Sequence, residues 1–127
     1  MAVLSSQFAS ISPGMSTEEA QEGLVSTMKA FGIEVENTER TVMDNINKIG
    51  NTMAVTNKDI IDMLERSSAA MHAANNSLEE TIALESAAME ITQNAEMTGT
   101  AFKTISMRIR GKLITLPPYM ETYMLCA

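Results

Sequence analysis

Tryptophan is absent from this chain, and three Phe and two Tyr are its whole aromatic complement. A core must therefore be assembled from Met, Ile, Leu, Val and Ala. With twelve methionines and only three prolines in 127 residues, the composition favours helices over sheets. Cysteine occurs once, as Cys126, which excludes an intrachain disulfide. Histidine also occurs once, as His72, so the two cannot assemble a zinc site. A single thiol suits a reducing compartment. No apolar run approaches the roughly 18 residues that would span a bilayer. The first ten residues lack the basic start and sustained apolar stretch of a secretory signal, so the expectation is a soluble piece. The six glycines stand alone at positions 14, 23, 32, 50, 99 and 111, leaving no glycine-rich loop to cradle a phosphate.

Charge is present but unevenly placed. The net charge of −7 argues against general affinity for nucleic acid or anionic membrane. Residues 1–102 hold 15 acidic and 5 basic side chains, a balance of −10, whereas residues 103–112 hold four cations and no acid. Residues 113–127 carry only Glu121. The positive cluster Lys103, Arg108, Arg110 and Lys112 is the candidate contact for a partner or for DNA phosphate. Four cations supply only a modest electrostatic term, and they also suit the negative end of a helix dipole.

Helix starts are well marked. An oxygen-bearing side chain followed three positions later by an acid satisfies two orphan backbone donors, and this spacing occurs at Ser16…Glu19, Thr56…Asp59 and Ser77…Glu80. The first helix, about 16–31, sets Ala20, Leu24, Met28 and Phe31 on one face and stops at Gly32. A second, about 37–53, carries Val42, Ile46, Ile49 and Met53; a third, about 57–74, carries Ile60, Leu64, Ser67 and Met71 and ends at Asn75-Asn76. The fourth, about 77–94, is expected to turn Leu78, Ile82, Ala83, Met89 and Ile91 inward and Glu79, Glu80, Glu85 and Glu90 outward. The fifth, about 98–110, is expected to bury Ala101, Phe102, Ile105 and Ile109. Short connections imply neighbouring helices packed together. The expected fold is all-α, a compact array of about five short amphipathic helices packed as helical hairpins. The three marked starts lie 40 and 21 residues apart, too irregular for a strict repeat. Residues 1–14 read as a lead-in segment, 15–111 as the helical module and 112–127 as an atypical, disordered tail containing Pro117-Pro118, both tyrosines and Cys126.

Catalytic readings find little support. His72 sits among alanines without an oriented partner, so it receives no role as a base. Cys126 has no adjacent cation or histidine to lower its pKa. Glu18-Glu19 and Glu79-Glu80 lie in first helical turns, where capping accounts for them. Asn75-Asn76-Ser77 matches a glycosylation acceptor but reads as a turn followed by a cap. The methionines could form an adaptable binding face, although most occupy core positions in the helical stripes. No cofactor is expected.

The block Ser77-Leu78-Glu79-Glu80-Thr81-Ile82-Ala83-Leu84, running into Gly99-Thr100-Ala101-Phe102-Lys103-Thr104-Ile105-Ser106-Met107-Arg108-Ile109-Arg110-Gly111, resembles the core region of phage tail tape measure proteins. Its companions at similar spacing are Leu24-Val25-Ser26-Thr27-Met28-Lys29-Ala30-Phe31-Gly32, Gly50-Asn51-Thr52-Met53-Ala54-Val55, Glu65-Arg66-Ser67-Ser68-Ala69-Ala70-Met71 and Ala73-Ala74-Asn75-Asn76. The ordered series, covering roughly residues 10 to 111, carries the resemblance; no single motif does. Relatives continue past this point as long polar helix, and the abrupt change after Gly111 leads to the expectation of a truncated or frameshifted fragment.

The resemblance implies a non-enzymatic structural protein of the virion tail, assembled in the host cytoplasm. Such proteins run along the tail lumen and set tail length. The implied partners are the tail tube, tail-tip proteins and tail assembly chaperones, with self-association, no specific nucleic acid and no membrane span in this segment. Two other readings stay open from the residues themselves. One is a standalone helical adaptor holding a partner helix on a Met-rich apolar face. The other is a membrane-active element, which its acidic helices disfavour on anionic lipid.

Overall fold

All three capping boxes form. Ser16, Thr56 and Ser77 have extended backbones, and each hydroxyl accepts the N–H of the residue three positions on, at 3.1 Å from Glu19, Asp59 and Glu80. The acid returns the bond by accepting the cap residue's own N–H, at 2.9–3.1 Å. The ends are equally defined. Gly32 takes φ 66°, and the N–H of Ile33 reaches back to the Met28 carbonyl. Asn75 takes φ 68° and donates to the His72 carbonyl while Asn76 donates to that of Met71, the paired closure of a Schellman motif. Ser77→Ala is expected to cost about 1 kcal/mol, which thermal unfolding reads as a midpoint about 4 °C lower.

The computed structural model describes residues 2–115, with side chains for residues 3–111. Among the described residues there are seven α-helices, one π-helical turn and no strand. They are α1 Ala2–Ser10, α2 Thr17–Phe31, α3 Val35–Thr38, the π turn Glu39–Met43, α4 Asp44–Thr52, α5 Asn57–Ala73, α6 Leu78–Thr92 and α7 Ala95–Thr115. The fold class is therefore all-α, as expected. No helix of the described residues is long and apolar enough to cross a membrane.

Four features depart in detail from the expectations. The first 14 residues include a helix, α1, whose Phe8 is fully buried. The segment about 37–53 is helical but interrupted by the π turn, within which both Val42 and Met43 are buried. On α6 the inward face is Leu78, Thr81, Ile82, Glu85, Ser86 and Met89; Ala83 is exposed, Ile91 is 86% exposed and Glu85 is not outward but fully buried. On α7 the expected buried row is largely reversed, because Ala101, Ile105 and Ile109 are exposed and Phe102 is half-buried. The helix also continues to Thr115. The expected tail beyond it, with both tyrosines and Cys126, lies outside the described residues.

α5 is the central helix. Its Ile60, Ile61, Met63 and Leu64 are all at most 1% exposed and join Leu24, Val42, Ile46, Leu78 and Ile82 in one core. Two glycines bring the flanking helices close. A Cβ at Gly23 of α2 would collide with Ile61 Cγ2, and one at Gly99 of α7 would lie 3.0 Å from both the Cα and the carbonyl oxygen of Met63. The absence of side chains there lets α2 and α7 approach α5 closely. Six methionines, at 15, 28, 43, 63, 71 and 89, are buried, so most of this residue type among the described residues fills core gaps.

Candidate functional site

Small and polar residues dominate the packed side of α7. Ala95, Thr98, Gly99 and Ser106 are buried on it; Ser106 Oγ donates to Met71 Sδ at 3.2 Å, and Thr98 Oγ1 bonds the Asn94 carbonyl at 2.8 Å. The helix start is held by Asn94, whose Oδ1 accepts the Met97 N–H at 2.9 Å, after Gln93 turns the chain at φ 53°. Across the seam Arg66 of α5 pairs with Glu96 at 2.9 Å. Close packing on small residues leaves the large apolar ones facing away. Met97, Ile105, Met107 and Ile109 are 53–55% exposed.

Helical spacing sorts this outer side into two rows. Met97, Ala101 and Ile105 follow at steps of four, and with Thr100, Thr104, Asn94, Glu96 and Arg66 they line an open groove of about 610 Å³. Arg108 extends that row. Lys103, Met107 and Arg110 form the second, at steps of four and three. Lys103, Arg108 and Arg110 are all exposed, and among the described residues no ion pair engages them. The Lys112 side chain lies outside the described residues.

A second region, on α2 and α5, is acidic. Glu18, Gln21, Glu22, Val25 and Ser26 of α2 line a second open groove of about 440 Å³. Beside it Glu19 accepts from Lys58 Nζ at 2.9 Å, and the Ser16 backbone N–H, followed by Lys58, holds the Glu19 carboxyl below its ordinary pKa. Partial burial, chiefly, raises Asp62 and Glu65 of α5 above theirs. The chain is thus polarised, with an apolar and cationic face on α7 and carboxylates along α2 and α5. Such a surface can dock partners; it does not present a nucleophile beside a base. His72 is exposed and meets the Phe31 ring edge-on at 5.4 Å. Among the described residues no three His, Cys, Asp or Glu side chains are grouped to hold a metal.

Sequence reasoning located the cations but missed the apolar row beside them. The usable signal was Ala95 and Gly99 at a step of four, a small-residue strip that lets one helix lie close against another. A family model described as phage-related minor tail protein matches residues 3–115. No curated protein and no solved structure matches the chain.

Proposed function

The chain belongs to the phage-related minor tail protein family, and from that premise we propose that it is the helical core module of a tape measure protein, acting in tail length determination and tail assembly. Membership makes it a tail component with a structural role, associated with other tail components. The finer reading is supported by the ordered motifs through Gly111 and by an all-helical body. A helix advances about 1.5 Å per residue, so a helical chain converts residue number into length. The module described here would serve as a folded station within such a ruler.

The observation that carries the assembly role is the outer side of α7. Met97, Ala101 and Ile105 lie uncovered along a groove, with Arg108 continuing their row and Lys103 and Arg110 on the adjoining one. The proposed occupants are acidic surfaces of tail-tip, tube or chaperone proteins, met in the host cytoplasm during assembly. Aromatic-poor but Met- and Ile-rich, this face can mould to a partner helix, and the cations would select an acidic one.

A double substitution, Met97→Lys with Ile105→Lys, tests this in the phage that encodes the chain. Both positions are half exposed, so unfolding free energy should move by no more than about 0.5 kcal/mol. Electron micrographs should nevertheless show fewer or misassembled tails. Normal numbers of tails of normal length would reject the docking role. The cations are tested separately by Lys103→Gln, Arg108→Gln and Arg110→Gln together. Loss of tail assembly supports an acidic protein partner, whereas loss only of salt-sensitive DNA retention by the isolated chain would redirect them to phosphate.

A further inference from the structure

Glu85 is the one fully buried ionisable side chain among the described residues. It projects from α6 into the seam with α5, where its Oε1 meets Ser67 Oγ. Ser67 Oγ also lies 2.9 Å from the Met63 carbonyl. A serine hydroxyl has one proton to give. If Glu85 were ionised, Ser67 would face two acceptors and could satisfy one. A neutral carboxyl resolves the conflict, because it donates to Ser67 Oγ while Ser67 donates to Met63. Glu85 Oε2 has no hydrogen-bond partner among the described residues, nor do the nearby-in-sequence Ser68 and Ser86 hydroxyls. An unpaired carbonyl oxygen is tolerable in an apolar seam; an unpaired carboxylate oxygen is far more costly.

Among the described residues no charge compensates it. The charged and titratable side chains described on the elements packed against α6 are Asp44 and Lys48 of α4, Lys58, Asp59, Asp62, Glu65, Arg66 and His72 of α5, and Glu96, Lys103, Arg108 and Arg110 of α7; all are exposed or half-buried. Glu79, Glu80 and Glu90 of α6 itself are exposed. We propose that Glu85 is a proton-operated latch: as a neutral acid it holds α6 on α5 through Ser67, and on losing its proton it drives α6 away from that seam to reach water.

The direction of the pH response follows. Burial is the larger effect and pushes the Glu85 carboxyl from 4.5 up to about 7, although a hydrogen bond donated by Ser67 to the ionised form would act the other way. A group whose folded pKa is raised favours the folded form fully below its unfolded pKa, and that contribution is lost as pH climbs through the folded value. The latch is held most firmly near pH 5 and loosens progressively as pH rises toward about 7.

The test is hydrogen exchange of the α6 amides in the 127-residue chain, corrected for intrinsic rates, with carboxyl NMR of Glu85 alongside. Between pH 5 and pH 7 the opening constant of α6 should rise by at least about tenfold. In Glu85→Gln, whose amide can still donate to Ser67, the rise should vanish. An equal pH response in Glu85→Gln would overturn the latch, as would a wild-type carboxyl resonance titrating near pH 4.5. The NMR arm reads the unmodified chain, so it decides even if the variant fails to fold. Either result is independent of the tail reading, which rests on the α7 surface.

Discussion

Phe8→Ala is expected to lower the unfolding free energy by about 3–5 kcal/mol, the usual cost of deleting a buried aromatic. Phe8 is the one aromatic ring wholly inside the described core, at 0% exposure, and it is the deepest attachment of α1. A nine-residue helix is too short to persist by itself in water, so α1 exists because the ring docks. Leu4 and Ala9 add partial burial to the same contact, and Asn57 Nδ2 ties the following turn through Ser12 Oγ at 3.1 Å. Urea unfolding should show the loss, and exchange should show the amides of residues 2–10 opening together. If instead stability fell by less than about 1 kcal/mol with exchange in α1 unchanged, the docked N-terminal helix would have to be held by its backbone turn and not by the ring.

What could be read from the sequence and what could not follow from the range of the interactions involved. Ser16, Thr56, Ser77, Gly32 and Asn75 act on residues within five positions, so their spacing alone located three starts and two stops. The stripes of α2 and α5 were legible because large apolar side chains there do face the core. Glu85 and α7 were misread for one shared reason. An apolar stripe reports burial only when the helix packs through its large side chains, and α7 packs through Ala95, Thr98, Gly99 and Ser106 instead. Its larger apolar residues were displaced outward. Likewise a glutamate is assigned to solvent unless its burial is known, and Glu85 is buried only once α6 packs on α5, where its partner Ser67 lies eighteen residues away in the chain and is adjacent only after folding. The π turn had no visible signal in Glu39-Arg40-Thr41-Val42-Met43, and nothing in the structure explains why the ladder widens there.

The second large effect should come from Gly99→Val, about 3 kcal/mol of destabilisation by overpacking. The new Cβ would stand 3.0 Å from Met63 Cα and from its carbonyl oxygen, and 3.3 Å from Arg66 Cβ. Two of these are backbone atoms of the central helix, which cannot swing aside as a side-chain end can. α7 would have to retreat, opening the most extensive helix pair among the described residues and stretching the Ser106–Met71 contact and the Arg66–Glu96 pair. Alanine at 99 should be milder, because removing a mid-helix glycine returns about 1 kcal/mol of helix propensity against the crowding. Gly111→Ala separates these terms: among the described residues outside its own helix backbone nothing lies within 4 Å of its Cβ position, so stability should rise by up to about 1 kcal/mol. Denaturant titration of the three variants reads the order Gly111→Ala above wild type, then Gly99→Ala, then Gly99→Val. Should Gly99→Val equal wild type, close approach of α7 to α5 would not be what turns Met97 and Ile105 outward, and the docking face would lose its structural cause.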